Sequence, residues 1–213
     1  LYIPAKTPYD YYTKEYEKGL KLYSSGVMIM EKCSDLVPEH FRFVKGVVDS
    51  DDLSLNISRE MLQQDAALKT IAKNIDKKIH SELKKALAND KDKYETFWKA
   101  FGIQLKYGCV AQYGVYKDTL KDLLLFWSAN ENKFITIDDY VKNMPQDQKH
   151  IYYACGETVQ KINALPQAEM VREKGYDMLC LTDEVDEFLM NVLREENGKD
   201  YCSINSDKAD LID

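Results

Sequence analysis

The 213-residue chain is 45% hydrophobic and carries 36 acidic against 29 basic side chains, a net charge of −7, enough apolar material for one large domain or two small ones. That charge repels phosphate backbones and leaves no basic stripe, which weighs against nucleic acid as a partner. No apolar run approaches the roughly 20 residues that span a bilayer, and no basic stretch precedes Leu1-Tyr2-Ile3-Pro4, so the expectation is a soluble, unsecreted protein without a membrane partner.

The chain opens with extended signals at Leu1 to Pro4, at Leu20 and Leu22, and at Val27-Met28-Ile29-Met30, which read as strands. Between them, Thr7 to Lys18 mixes tyrosines with charges at no clean period and reads as an amphipathic loop or a frayed helix. A further strand is expected at Phe43 to Asp49, broken by the turn formers Asp49-Ser50-Asp51-Asp52.

From Glu60 the period becomes helical, with Leu68, Ile71, Ala72, Ile75, Ile79, Leu83 and Leu87 on one face and Ser58 as the N-cap. A second helix carries Tyr94, Phe97, Trp98, Phe101 and Leu105. A third is expected through Leu120, Leu123, Leu124 and Trp127. Beyond residue 134 helices (Ile137 to Lys142, Pro166 to Lys174, Glu184 to Glu195) alternate with strands (Ile151 to Cys155, Asp177 to Leu181, Tyr201 to Ile204). Such alternation implies crossovers and a mostly parallel sheet. The polar tail from Asn205 to Asp213 reads as loose. The expected division is therefore 1–88, a helical connector over 89–133, and a small α-β-α unit over 134–213.

Five cysteines leave one over from any complete pairing, and none stands in a Cys-x-x-Cys spacing. Three lie in short apolar runs, as buried reduced thiols do, which favours the cytoplasm. His40, His80 and His150 are far apart and match no ligand spacing, so no metal is expected. Gly156-Glu157-Thr158 follows a strand but lacks the glycines of a phosphate cradle. Asp183, Asp186 and Glu187 could imitate a metal cluster, yet acids gather at a helix N-terminus through its dipole anyway. The most distinctive stretch is Leu55 to Gln64, a capped helix start with Arg59 in the first turn, where the dipole disfavours a cation. Either a nearby acid pairs it or the guanidinium faces a ligand anion.

Phe43-Val44-Lys45-Gly46-Val47-Val48-Asp49-Ser50 and Leu55-Asn56-Ile57-Ser58-Arg59-Glu60-Met61-Leu62-Gln63-Gln64 resemble the signature of the heat-shock protein 90 middle domain. Leu1 to Pro4, Tyr107-Gly108, Asp139-Tyr140-Val141, Ile151 to Glu157 and Leu181 to Glu187 are similar to the same family, in its order. Lys106-Tyr107-Gly108 and the clustered tyrosines resemble the bacterial, HtpG-type branch.

The resemblance implies an α/β fold: a truncated α-β-α large subdomain, a helical connector and a small α-β-α subdomain. It implies a segment of an ATP-driven chaperone of the stress response, cut at both ends. An N-terminal domain holding the ATP would precede it, and a C-terminal dimerisation domain would follow. Client proteins would be the partners and a homodimer the assembly, and this segment alone would be inactive as an ATPase. Arg59 is carried over as the arginine that reaches the γ-phosphate, with Gln63 beside it and Asn56 shaping the loop. Tyr9, Tyr11, Tyr12 and Tyr16 could anchor clients or simply cover the core. The competing function is a stand-alone interaction scaffold with no catalytic part. If strands are missing beside Leu1 to Pro4 or Leu20 to Met30, the first unit should be less stable than the second and prone to self-association.

Overall fold

The structure is a computed structural model that describes residues 1–53, 62 and 64–205. The chain divides into two compact units, Leu1–Gln104 and Leu105–Asp213.

In the first unit, β1 (Leu20–Ser24), β2 (Val27–Cys33) and β3 (Val47–Asp49) form a sheet of order β2-β1-β3. Strand β1 alternates as a half-covered strand must: Leu20, Leu22 and Ser24 are buried while Lys21 faces solvent. Ser25 and Gly26 join β1 to β2, both at positive φ (48° and 78°), the backbone that a two-residue hairpin loop demands. β3 lies parallel to β1, with Lys21 opposite Val47. The extended start of the chain makes a single antiparallel bridge, Tyr2 to Lys45, in place of the expected strand. The run expected from Phe43 is interrupted at Gly46, whose φ is +140° and where a Cβ would stand 2.9 Å from the Leu1 Cα.

Two helices complete this region, α1 (Ala66–Asn89) and α2 (Lys91–Gly114). Asp65 caps α1, its carboxylate accepting the Leu68 amide at 2.9 Å; the expected cap, Ser58, lies outside the described residues. Leu68, Ile75, Ile79 and Leu83 form the buried stripe of α1, at the spacing the sequence predicts. Tyr94, Trp98 and Phe101 do the same for the part of α2 in this unit. Phe101 meets Tyr11 at 5.5 Å and Phe43 at 5.0 Å between ring centres, and Phe43 meets Phe41 at 6.0 Å. These edge-on and tilted aromatic pairs join buried leucines such as Leu20, Leu22 and Leu36 in the first unit's core. The backbone of α2 leaves helical geometry at Ala111, and Gln112 and Tyr113 take positive φ.

The second unit holds a six-stranded sheet. Its strands are β4 (Phe126–Ser128), β5 (Lys133–Ile135), β6 (Ile151–Cys155), β7 (Leu179–Leu181), β8 (Glu195–Glu196) and β9 (Lys199–Ser203), in the order β5-β4-β7-β6-β9-β8. β6 is parallel to β7 and β9, giving the parallel centre that the alternation predicts, with antiparallel pairs outside it. The helices are α3 (Lys117–Leu120), α4 (Ile137–Asn143), α5 (Val159–Asn163), α6 (Pro166–Glu173) and α7 (Asp186–Leu193). Thr136 and Thr158 cap α4 and α5 through their hydroxyls, and Pro166 occupies the first turn of α6. Tyr152, Ala154, Ile162, Val171, Met178 and Cys180 pack as one core.

The expected helix through Trp127 does not form. α3 passes into a 3-10 turn over Lys121–Leu123, Leu124 is extended, and Trp127 sits in β4 between Phe134 and Cys180. Leu123, Leu124, Leu125 and Phe126 are all buried, and a run covered on every side has no period from which to tell helix from strand.

Candidate functional site

The sequence places its catalytic candidates Asn56, Arg59 and Gln63 between β3 and α1, and all three lie outside the described residues, as do Ser58 and Glu60. The two roots of that segment are described. On one side the chain leaves β3 through Ser50 to Leu53, and Leu53 is buried, its carbonyl accepting a 2.6 Å hydrogen bond from the hydroxyl of buried Ser24. The Asp49 carboxylate accepts the Gly26 amide at 3.1 Å, and Asp51 accepts the Ser25 hydroxyl at 2.9 Å. On the other side Leu62 is buried, and its carbonyl accepts the Asp65 amide at 3.0 Å just before α1 begins. Both roots are thus fixed to the sheet or to the helix start by buried leucines and short hydrogen bonds.

The four tyrosines separate into pairs. Tyr11 and Tyr16 are buried, their ring centres 4.8 Å apart, whereas Tyr9 is fully exposed and Tyr12 mostly so. The Arg42 guanidinium lies over both buried rings, 5.3 Å from Tyr11 and 4.7 Å from Tyr16, and is paired with Glu39 at 3.0 Å. Burial pushes the Tyr11 phenol well above its ordinary range. Lys45 stands 4.4 Å from the centre of the Tyr16 ring. Cationic groups stacked on aromatic faces in this way gain from the ring quadrupole, and more so when shielded from water.

One charged cluster escapes the sequence reading. Lys106, on the face of α2 otherwise taken by Leu105 and Cys109, is buried and holds Asp183 at 2.8 Å and Asp186 at 2.7 Å. Asp186 is fully buried and also accepts the Asp183 amide at 3.0 Å. Burial raises its carboxyl above the usual carboxylate range, with the Lys106 ammonium pulling the other way. Asp186 and Glu187 stand in the first turn of α7, where the dipole favours acids, and Asp183 and Asp186 answer a lysine as well, while Glu187 faces solvent. The available signal was a lysine inside an apolar helical stripe, which requires an acid from elsewhere. Chemically the cluster is a clamp that ties the start of α7 to α2 within the second unit.

The strand end at Gly156 is a packing joint. A Cβ there would stand 2.8 Å from the Ile162 side chain, and the Gly156 amide is spent on the Leu181 carbonyl at 3.0 Å. Among the described residues no group of three or more His, Cys, Asp or Glu could hold a metal ion, and no helix is long and apolar enough to cross a membrane. The cysteines are all free, with Cys33, Cys109 and Cys180 buried. Burial pushes the thiols of Cys109, Cys155 and Cys180 up to about 12.

A family model described as Hsp90 protein matches residues 1–213. The HtpG chaperone protein of Bacillus subtilis is 57% identical over 206 residues, which is 97% of this chain and 33% of that protein. The HtpG chaperone protein of Alkaliphilus oremlandii is 55% identical over 213 residues, all of this chain and 34% of that protein. The chain thus spans about a third of the length of these curated relatives. Among solved structures, the middle domain of a Plasmodium falciparum heat shock protein superimposes with a TM-score of 0.80 at 30% identity, covering 96% of this chain and 80% of that one.

Proposed function

Since the chain belongs to the heat-shock protein 90 family, we propose that it serves as the middle segment of an ATP-driven, HtpG-type chaperone and lends Arg59 to an ATP molecule held by a separate N-terminal domain. The observation that carries this reading is the family match along the whole chain, together with the likeness to a heat shock protein middle domain. A guanidinium offers two parallel donors to a terminal phosphate and stabilises the charge that grows there as the phosphoryl bond breaks. By resemblance to the same family, Gln63 and Asn56 are assigned supporting parts in this step. The buried roots at Leu53 and Leu62 support such a role, because a residue that must meet a ligand bound elsewhere needs a fixed base.

Hydrolysis is then coupled to docking of the two domains, in a homodimeric cytoplasmic protein whose C-terminal domain joins the subunits. Client proteins contact exposed surface of the segment. Of the four tyrosines, Tyr9 and Tyr12 offer that contact, and buried Tyr11 packs edge-on against Tyr12 and Tyr16.

The test is Arg59→Ala in the full-length protein. Turnover falls by about a hundredfold or more while ATP affinity stays within a few fold, because the guanidinium acts only once the domains dock. Unchanged turnover would remove Arg59 from the mechanism and leave the scaffold reading in its place.

A further inference from the structure

The turn between β1 and β2 is bonded to the chain that leaves β3 in a regular pattern. Strand β3 runs parallel to β1 as far as Asp49 opposite Tyr23, and the ladder closes with the Ser50 amide donating to the Tyr23 carbonyl at 3.1 Å. There β1 turns away through Ser25 and Gly26, and among the described residues no main-chain bond of the sheet continues over residues 51–53. Bonds from the turn take over. The Gly26 amide donates to the Asp49 carboxylate at 3.1 Å, the Ser25 hydroxyl to the Asp51 carboxylate at 2.9 Å, and the Ser24 hydroxyl to the Leu53 carbonyl at 2.6 Å. Three consecutive residues thus hold every second residue of the departing segment, in reverse order, and lay residues 49–53 across the tip of the hairpin.

The three bonds differ in kind. Ser24 is 1% exposed and Leu53 3%, so removing the hydroxyl leaves a buried carbonyl unpaired, the costly case for a hydrogen bond. The other two are exposed and contribute little to folding, but they act on direction. They depend on the shape of the turn, with φ of 48° at Ser25 and 78° at Gly26. A Cβ on Gly26 would meet nothing within 4 Å, so the backbone angle alone asks for glycine there.

Arg59 follows Leu53 by six residues. We propose that Ser24, Ser25 and Gly26 are positioning residues for Arg59: the hairpin turn sets the direction in which its segment leaves the sheet, and so governs whether the guanidinium reaches the terminal phosphate. The inference rests on the role proposed above for Arg59. None of the three touches the nucleotide; they act through the segment alone. A displacement of about 1 Å at a reacting group can cost about a hundredfold in rate, so bonds of small worth to folding can still control turnover.

The test is ATP turnover of the full-length protein carrying Ser24→Ala or Asp51→Ala, with ATP affinity measured beside it. Turnover falls about tenfold in each while affinity stays within about twofold. Asp51→Asn keeps an oxygen for the Ser25 hydroxyl and restores turnover to within about twofold of the parent. In an Arg59→Ala background neither alanine lowers turnover further, since the group they aim is gone. Val37→Ala, a buried truncation elsewhere in the first unit, lowers the thermal transition at least as much as Ser24→Ala and leaves turnover unchanged. Turnover lost in Arg59→Ala but kept in both Ser24→Ala and Asp51→Ala overturns this inference and leaves the role of Arg59 standing. Turnover kept in Arg59→Ala overturns both. Losses that persist undiminished in the Arg59→Ala background, or that Val37→Ala reproduces, make the three bonds structural only and overturn the inference as well.

Discussion

Tyr16 and Arg42 meet in three ways: the Tyr16 hydroxyl donates to the Arg42 carbonyl at 2.9 Å, Arg42 Nη2 donates to the Tyr16 carbonyl at 3.4 Å, and the Arg42 guanidinium stands 4.7 Å from the centre of the Tyr16 ring. Residues 26 positions apart are thus joined through ring face, hydroxyl and main chain.

Tyr16→Phe should keep the ring contact and lose only the hydroxyl's bond, at a cost of about 1 kcal/mol. Arg42→Lys should cost more, because an ammonium cannot lie flat on two rings as a guanidinium does. Chemical denaturation of both variants checks the order. A Tyr16→Phe loss equal to or larger than that of Arg42→Lys would show that the stack contributes little.

Lys106→Met should destabilise the second unit by about 3–5 kcal/mol at neutral pH, since it leaves Asp186 buried and charged without its partner. The pH dependence has a definite sign. Burial already raises the Asp186 carboxyl above the usual carboxylate range, and removing Lys106 takes away what lowers it. Between the unfolded value and that raised folded value, the folded state holds the extra proton, so the variant gains stability as pH falls. The gap between variant and parent should therefore narrow from pH 7 toward pH 5 in thermal unfolding. A constant gap would mean that Asp186 does not carry the penalty.

Thiol labelling should report the same burial from another side. With their thiols pushed up to about 12, Cys109, Cys155 and Cys180 hold on the order of a thousandfold less thiolate at pH 8 than an ordinary cysteine. Cys109 and Cys180 should resist iodoacetamide in the native protein and react in denaturant. Cys155, only partly covered, should still react slowly. Rapid native labelling of Cys180 would contradict its place between β4 and β6.

β2 is the last strand of its sheet among the described residues, and Val27 and Met28 on it are about half exposed. Such an edge is a template for pairing with a second chain. Met28→Lys should reduce any self-association seen by analytical ultracentrifugation at high concentration, with little effect on unfolding. Association unaltered by the lysine would place it elsewhere.

The long helices were legible because a buried stripe repeats at helical spacing over many turns, as Leu68, Ile75, Ile79 and Leu83 do. β4 was not, because the run from Leu123 to Phe126 that leads into it is covered on every side and shows no period. Tyr11 and Tyr9 are identical letters in one polar stretch, and only the packing of Phe101 and Arg42 separates buried from exposed. Asn56, Arg59 and Gln63 came from resemblance, since periodicity alone marks only a misplaced cation near a helix start. The Lys106 clamp joins residues 77 apart in sequence, a pairing no local pattern contains.

The order of strands in the second unit also sets an order in time. β4 leaves the ribosome about fifty residues before β7, the strand that seats Trp127 and Ser128 on its other side. Until then β4 has only the hairpin with β5, and β6 waits in the same way for both β7 and β9. Distant pairings close slowly, since the chain between them must be ordered before any contact rewards it. The β1–β2 hairpin needs only Ser25 and Gly26 to turn, so the first unit can begin to organise while the second is still a row of apolar strands without partners. That interval is when this chain is most exposed to aggregation.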